Sequence, residues 1–224
     1  MTVTAWDAQS LIDRYDEVRS HTETLAAPLS PEDQTVQSMP DVSPTKWHRA
    51  HVTWFFETFV LADHEPGFTA FQDKYWFLFN SYYEAVGPRF SRPHRGVISR
   101  PGAHDVGVYR DNVDTRIRDL IGRLDEGTLD KLTSTIELGF HHEQQHQELL
   151  LMDIKHVLSL NPLRPAYAGS SGLSESTCLM SISNSSWCCC SWWNPRSMVP
   201  ASLLRVPSSR VVTRSRIRAS TLSR

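Results

Sequence analysis

The stretch GFHHEQQHQELLL, residues 139–151, decides the fold class of this chain. Its residues are mostly good helix formers, and the apolar residues that follow it recur at helical spacing. Because His142 and His146 lie four residues apart, their imidazoles point from one face of the helix toward a single point. His141 lies off that face. The pattern predicts a long, largely buried helix that carries a pair of metal ligands.

A second histidine-bearing segment, SPTKWHRAHVTWFFETFVL at residues 43–61, supplies a candidate third ligand. Ser43 and Pro44 are typical of the N-cap and first turn of a helix. In this helix His51 lies at the centre of an aromatic stripe, which a bundle would bury, so we expect its ring to point inward. His48, one turn earlier and near the edge of the stripe, is the alternative ligand.

Three neutral imidazoles on two packed helices would hold one side of a metal ion and leave positions open for substrate and dioxygen. The donors alone suit zinc, iron, nickel and copper. The string from His142 to His146 also matches HExxH, in which Glu143 would be the general base of a zinc hydrolase. That alternative needs a third ligand downstream, where no histidine follows His156. We therefore favour the three-histidine site.

Two glutamates of the same segment are candidates for orienting a ligand histidine, namely Glu143 and Glu148. An ordinary exposed helix glutamate is an equally good interpretation of either residue. Elsewhere the helical periodicity predicts an all-α fold, a four-helix bundle, with no alternating strand pattern before residue 165. The predicted helices lie near residues 5–26, 44–63, 73–85, 104–126 and 128–160.

Three phrases of this sequence carry a family resemblance: WHRAHVTWFFETFVL, FNSYYEAVGPRFSRPHRGVISRP and HHEQQHQELLLMDIKHVLSLNPLRPAY. They resemble the amino-terminal DinB-like domain of the ergothioneine-biosynthesis sulfoxide synthases, including the HxxxHxE signature of that family. The resemblance runs from about residue 5 to residue 168. It implies a DinB-like bundle and an iron(II) enzyme that uses dioxygen. The reaction would join the sulfur of γ-glutamylcysteine or cysteine to C2 of the imidazole of Nα-trimethylhistidine.

The resemblance also implies roles for particular residues. Gln145 matches a position near trimethylhistidine, and Arg89 and Arg92 match arginines that hold the carboxylates of the thiol substrate. The matched ligands of Fe(2+) are His51, His142 and His146.

The residues themselves support an arginine loop. Arg89, Arg92, Arg95 and Arg100 lie in a segment punctuated by glycine and proline, so we expect them on an ordered loop rather than on a helix face. Guanidinium groups on such a loop suit carboxylate binding, although a solvated basic loop is an equally good interpretation. Nucleic-acid binding is disfavoured, because residues 1–168 are acidic and lack alternating aromatic and basic residues.

The composition changes abruptly after residue 168. Residues 1–168 contain 16 basic and 24 acidic residues, whereas residues 169–224 contain 7 basic residues, one acid and all four cysteines. We expect residues 1–168 to form the DinB-like metal-binding bundle and residues 169–224 to be an irregular or disordered tail, an out-of-frame translation or a basic serine-rich interaction segment. The sulfatase-modifying-factor-like domain that follows the bundle in the synthases is not recognisable, so we expect iron binding with little or no synthase activity.

Other classes of function stay open. A stand-alone DinB-like bundle could be a zinc-dependent thiol transferase, and an inert metal-binding fragment is a further alternative; oxygen dependence distinguishes the synthase from the transferase. The amino terminus has no apolar signal segment, so we expect a cytoplasmic monomer that binds neither membranes nor nucleic acid.

Overall fold

The computed structural model of this protein describes residues 6–168. Within that range the chain forms six α-helices and no β-strand, which confirms the all-α prediction. The predictions for the tail at residues 169–224 lie outside the described residues. The helices are α1 (Ala8–Ala26), α2 (Thr45–Phe56), α3 (Ala62–His64), α4 (Tyr75–Leu78), α5 (Ala103–Ile121) and α6 (Glu126–Leu160).

The four long helices α1, α2, α5 and α6 make the bundle. Helix α2 lies at its centre, since all of its residues are buried, and it packs against both α5 and α6. Helix α1 packs against α6 and α5. Side-chain caps start two of these helices: Asp7 accepts a hydrogen bond from the Ser10 amide at 2.7 Å, and Asp125 accepts one from the Thr128 amide at 3.0 Å. No helix in residues 6–168 is both long and apolar enough to span a bilayer.

The end of α2 is continuous with α3 through a π-helical segment, Glu57–Leu61. The start of α2 lies one residue later than predicted: Pro44 occupies the N-cap position, and Ser43 does not cap the helix. Instead, the Ser43 hydroxyl accepts a hydrogen bond from Arg95 Nη1 at 2.8 Å, and its amide donates to Asp153 at 3.0 Å. A tertiary contact has therefore replaced the expected local one.

The predicted helix at residues 73–85 is wrong in length, because α4 ends at Leu78. The buried side chain of Asn80 explains the difference. Its Oδ1 accepts from the Tyr83 amide at 3.3 Å, and its Nδ2 donates to the carbonyls of Tyr83 and Gly87. An asparagine that bonds nearby backbone in this way favours a turn over a helix. The Phe79 carbonyl, which a continuous helix would use internally, is thus left available.

Gly139 brings α6 close to α2. A Cβ atom added at this position would lie 2.5 Å from a ring carbon of Phe56, whose side chain is completely buried. Only a residue without a side chain permits this approach. Gly139 lies one helical turn before His142, so the close packing sets the distance between the histidines of α6 and those of α2.

Candidate metal centre

Three buried histidines meet between α2 and α6. His51 comes from α2, and His142 and His146 come from one face of α6. One ring nitrogen from each of the three residues lies within 4.8 Å of the other two. The Nε2 atoms of His51 and His142 are 3.1 Å apart. This cluster could bind a metal ion.

The ring of His51 is held from two directions. Its Nδ1–H donates a 2.6 Å hydrogen bond to the Phe79 carbonyl, the group that the early end of α4 leaves available. The ring also stacks with Trp47 and Trp54, with centroids 4.6 and 5.6 Å apart and interplanar angles of 15° in both cases. Because Nδ1 carries the hydrogen, the lone pair lies on Nε2, which faces His142.

Two ring nitrogens at this site are buried without a hydrogen-bond partner, His142 Nδ1 and His146 Nε2. Burial lowers the pKa of His142 to about 4 and holds the pKa values of His51 and His146 well below 6.5. All three rings are therefore neutral at neutral pH, with lone pairs to offer. Since unpaired buried polar atoms are costly, a bound cation is the group that this donor set fits.

His48, the alternative ligand, is not a member of the cluster. Its Nδ1 lies 2.9 Å from His146 Nδ1, and its Nε2 lies 3.0 Å from Asp153 Oδ2. Both nitrogens of His48 already have hydrogen-bond partners, so His48 is a neighbour of the candidate ligand His146 and not a ligand itself.

The structure gives Glu143 a different role from those that the sequence suggested. Its side chain is fully buried and accepts hydrogen bonds from Arg19 Nη1 at 2.9 Å, Arg110 Nη2 at 3.1 Å and the Thr22 hydroxyl at 2.6 Å. Both carboxylate oxygens are thus used in an ion-pair cluster, which leaves neither to orient a histidine or to act as a hydrolytic base. Glu148 is exposed on α6 and is not brought to the site.

Arg89 and Arg92 converge on one aromatic ring. Their guanidinium carbons lie 5.2 and 5.4 Å from the ring centroid of Tyr82, a cation–π distance in both cases. Gln145 is partly buried on α6, directly before His146. Arg89, but not Arg92, lines a cavity of about 390 Å³ together with Asn80, Ser81, Tyr83, Glu84, Gly87 and Pro88.

Tyr83 belongs both to the lining of the cavity and to the aromatic surroundings of the histidines. Its ring centroid is 6.5 Å from that of His142. Tyr83 also packs against Trp54, with ring centroids 5.5 Å apart. One aromatic residue therefore contributes to the surroundings of both the cavity and the candidate metal centre.

The sequence predicted a loop rather than a helix for Arg95, but Arg92–Val97 forms a short 3₁₀-helix. The position of Arg95 against Trp47, which stacks on His51, was not predicted. The residue is 1% exposed, its guanidinium lies 3.4 Å over the Trp47 ring, and it donates to the hydroxyls of Ser43 and Ser81. Its Nε has no partner, and no carboxylate of the described residues pairs with it. Burial, followed by the charge of Arg92, lowers its pKa to about 9, so the group is charged at neutral pH. Nothing in its sequence context separates it from its exposed neighbours.

A helical bundle whose central helices enclose three neutral histidines belongs to a class of bundle protein that could bind a metal ion. Residues 14–156, more than half of the chain, match the model of the DinB superfamily, and the chain belongs to this superfamily. DinB-like proteins are metal-binding, in agreement with the geometry. A search of curated proteins finds no match.

Proposed function

We propose that this chain binds iron(II) through His51, His142 and His146 and takes part in the coupling of a thiol to Nα-trimethylhistidine, as in the sulfoxide synthases that it resembles. The observation that carries the proposal is a set of buried, unpartnered imidazole nitrogens beside an arginine that pairs with no carboxylate in residues 6–168. When bound, iron(II) supplies the redox chemistry for the oxidation of sulfur by dioxygen.

The stoichiometry of the overall reaction determines which substrates the protein must bind. One thiol, one imidazole and one dioxygen give a sulfoxide and one water: the S–H and C2–H bonds are broken, and a C–S bond and an S–O bond form. Carbon–sulfur bond formation and sulfur oxygenation each remove two electrons, which together reduce dioxygen. The protein must therefore bind both the anionic thiol and the imidazole of trimethylhistidine close to the metal ion.

The arginines support an anionic substrate. Arg89 is exposed, Arg92 is partly buried and Arg95 is fully buried over Trp47, which stacks on His51, so positive charge extends from the surface toward the histidines. Guanidinium groups pair well with carboxylates, and γ-glutamylcysteine carries two of them. We propose that Arg89 and Arg92 hold these carboxylates, while Arg95 favours an anionic sulfur at the centre.

Aromatic residues would keep water from the reacting groups. The ring of Phe55 packs against His142 with centroids 4.9 Å apart, and the ring of Tyr83 lies edge-on to the same imidazole with centroids 6.5 Å apart. Charges interact more strongly where water is excluded, so a thiolate at this position would be held mainly by the centre and by Arg95. Gln145, next to His146, is our candidate contact for trimethylhistidine.

The experiment is anaerobic titration of the iron(II)-loaded chain with γ-glutamylcysteine, followed by absorption spectroscopy. We expect a thiolate-to-metal charge-transfer band, and binding about 10- to 100-fold weaker in Arg89→Ala and Arg92→Ala, as for the loss of a charged hydrogen bond. Arg123→Ala, at an exposed arginine two residues after the end of α5, is the matched control. Unchanged thiol affinity in both variants would contradict the proposed substrate class.

Trimethylhistidine and dioxygen are then added, and the products are analysed by mass spectrometry. We expect any coupled sulfoxide to require both iron and dioxygen. Thiol transfer by the zinc-loaded chain without dioxygen would overturn the proposal in favour of a transferase.

A further inference from the structure

A buried chain of hydrogen bonds leads away from the candidate metal centre. His146 Nδ1 lies 2.9 Å from His48 Nδ1, and His48 Nε2 lies 3.0 Å from Asp153 Oδ2. The exposed fractions of the three residues are 7%, 3% and 6%. The chain joins both helices of the site, since His48 belongs to α2, and His146 and Asp153 belong to α6.

The chemistry of these groups fixes where the hydrogens lie. An ionised carboxylate only accepts, so His48 Nε2–H donates to Asp153. In a neutral ring the other nitrogen, His48 Nδ1, is then an acceptor, and His146 Nδ1–H must donate to it. His146 is thereby left with its lone pair on Nε2, which is the buried nitrogen without a partner.

We propose that His48 and Asp153 are positioning residues of the metal centre, which hold His146 in the tautomer and orientation that present Nε2 to the ion. This inference rests on the proposed function only for the existence of the metal site. His51 obtains the same constraint from the Phe79 carbonyl, so two ligands on different helices are fixed by different groups. Through His48, the Asp153 carboxylate would also make the His146 imidazole a better electron-pair donor to a metal ion.

Asp153, the last group in this chain of hydrogen bonds, is itself held in place. Asp153 Oδ2 accepts a second hydrogen bond, at 3.0 Å, from the Ser43 amide at the start of α2. The Ser43 hydroxyl accepts from Arg95, so the positioning residues and the buried arginine share one support. The carboxylate cannot move without disturbing the beginning of α2, and a rigid support is what an imidazole needs to keep one orientation.

The test uses cobalt(II) as a probe of the site, with affinity measured by competition and geometry by the ligand-field absorption. We expect His48→Phe, which keeps a ring but removes both hydrogen bonds, to weaken cobalt affinity about 10- to 100-fold and to change the absorption spectrum. Asp153→Asn should produce the same spectral change with a smaller loss. His156→Phe is the matched control, because His156 lies on α6 and bonds Ser38 Oγ at 2.8 Å, outside the chain of hydrogen bonds.

Nitrogen-15 NMR of the zinc-loaded wild type shows which ring nitrogen of His146 carries the hydrogen. A purely structural role of His48 and Asp153 would not determine that position. We expect the His146 hydrogen on Nδ1 and the metal on Nε2. A hydrogen on Nε2, or cobalt affinity and spectra of folded His48→Phe or Asp153→Asn that equal those of His156→Phe, would overturn the inference. If His48→Phe does not fold, Asp153→Asn and the wild-type NMR spectrum still decide.

The two proposals fail separately. A wild type that binds cobalt and responds to His48→Phe, but never binds a thiol, contradicts the proposed function and leaves the positioning role intact. If the wild type binds the thiol normally while His48→Phe and Asp153→Asn have no effect, the positioning role is contradicted and the proposed function stands.

Discussion

Two sides of helix α6 differ in whether their buried polar groups have hydrogen-bond partners. On one side, Glu143 accepts hydrogen bonds from two arginines and a threonine, and Gln147 donates to the Val18 carbonyl at 2.9 Å. On the adjacent side, His142 and His146 each keep one buried nitrogen without a partner. The residues are neighbours in sequence and equally inaccessible. The paired side holds the bundle together, whereas the unpaired side offers buried lone pairs that a ligand could complete.

The paired side is a network of compensated charges. Arg19 pairs with Asp114 at 2.8 Å and with Glu143 at 2.9 Å, and Arg110 pairs with Glu143 and with Glu23. Such pairs add little over an apolar core, but loss of one partner leaves a buried charge without compensation. We therefore expect substitutions on this side to affect folding far more than substitutions of the histidines.

The largest expected effect follows from Glu143. In Glu143→Ala two buried guanidinium groups lose a carboxylate, so we expect the free energy of unfolding to fall by about 3–5 kcal/mol. Urea denaturation of the metal-free chain measures it. Glu148→Ala, an exposed glutamate on the same helix, should change it by less than about 0.5 kcal/mol. A loss below about 1 kcal/mol in Glu143→Ala would contradict the stabilising role of the paired side of α6, because it is much smaller than the cost of an uncompensated buried charge.

The next largest effect concerns the close packing of α6 on α2 at Gly139. Gly139→Ala should destabilise the bundle by about 1–3 kcal/mol, because the added methyl group overlaps the buried ring of Phe56. It should also weaken metal binding, since α6 must move away from α2. Urea denaturation and cobalt titration test both results. Gly127→Ala, in the first turn of α6 where a Cβ makes only ordinary contact, is the control. A stabilised Gly139→Ala variant would show that the close approach is unnecessary.

The unpaired side predicts a pH dependence. The pKa of His142 is about 4 in the folded chain, against an ordinary value of 6.5 that unfolding restores. The unfolded chain therefore binds more protons between these values, and metal-free stability should fall as pH drops from 6.5 toward 4, by about 1.4 kcal/mol per pH unit for each such histidine. Stability above pH 6.5 should not change for this reason.

Denaturation midpoints across this pH range measure the effect. The decline should be shallower in His142→Leu, because one of the titrating groups is removed. An equal slope in wild type and variant would contradict the burial of a neutral imidazole.

The smallest effect is the stability of that same variant at pH 7. His142→Leu removes a buried nitrogen that has no partner, and this gain offsets the missing interaction with the His51 ring. We therefore expect the unfolding free energy to change by less than about 1 kcal/mol. Urea denaturation alongside Glu143→Ala gives the comparison directly. A destabilisation as large as that of Glu143→Ala would mean that the histidines are structural.

Spacing along one helix was predictable, and contacts between helices were not. The four-residue interval predicts that His142 and His146 share a face, and the aromatic stripe predicts that His51 is buried. By contrast, the role of Glu143 depends on which helix faces it, and a helical position alone does not name Arg19 as its neighbour. The same limit applies to His48, whose contact with His146 depends on the relative register of α2 and α6.

The loop region shows why local propensity was insufficient. Residues 73–85 look helical, yet Asn80 turns the chain through bonds to residues as far away as Gly87. Among the arginines, only tertiary packing distinguishes the buried Arg95 from the exposed Arg89. The pattern of residue types predicts which chemistry is present, and the packing of the loop on α2 decides which member of the set reaches the centre.

The most direct test of this account is anaerobic iron(II) binding by the wild type, His51→Ala, His142→Ala and the Glu148→Ala control. We predict one ion per chain for the wild type and the control, and no stoichiometric binding in either histidine variant, with helical circular dichroism unchanged in all four. Binding that survives His51→Ala, or a histidine variant that loses its fold together with the metal, would contradict the division of α6 into a stabilising side and a ligand-binding side.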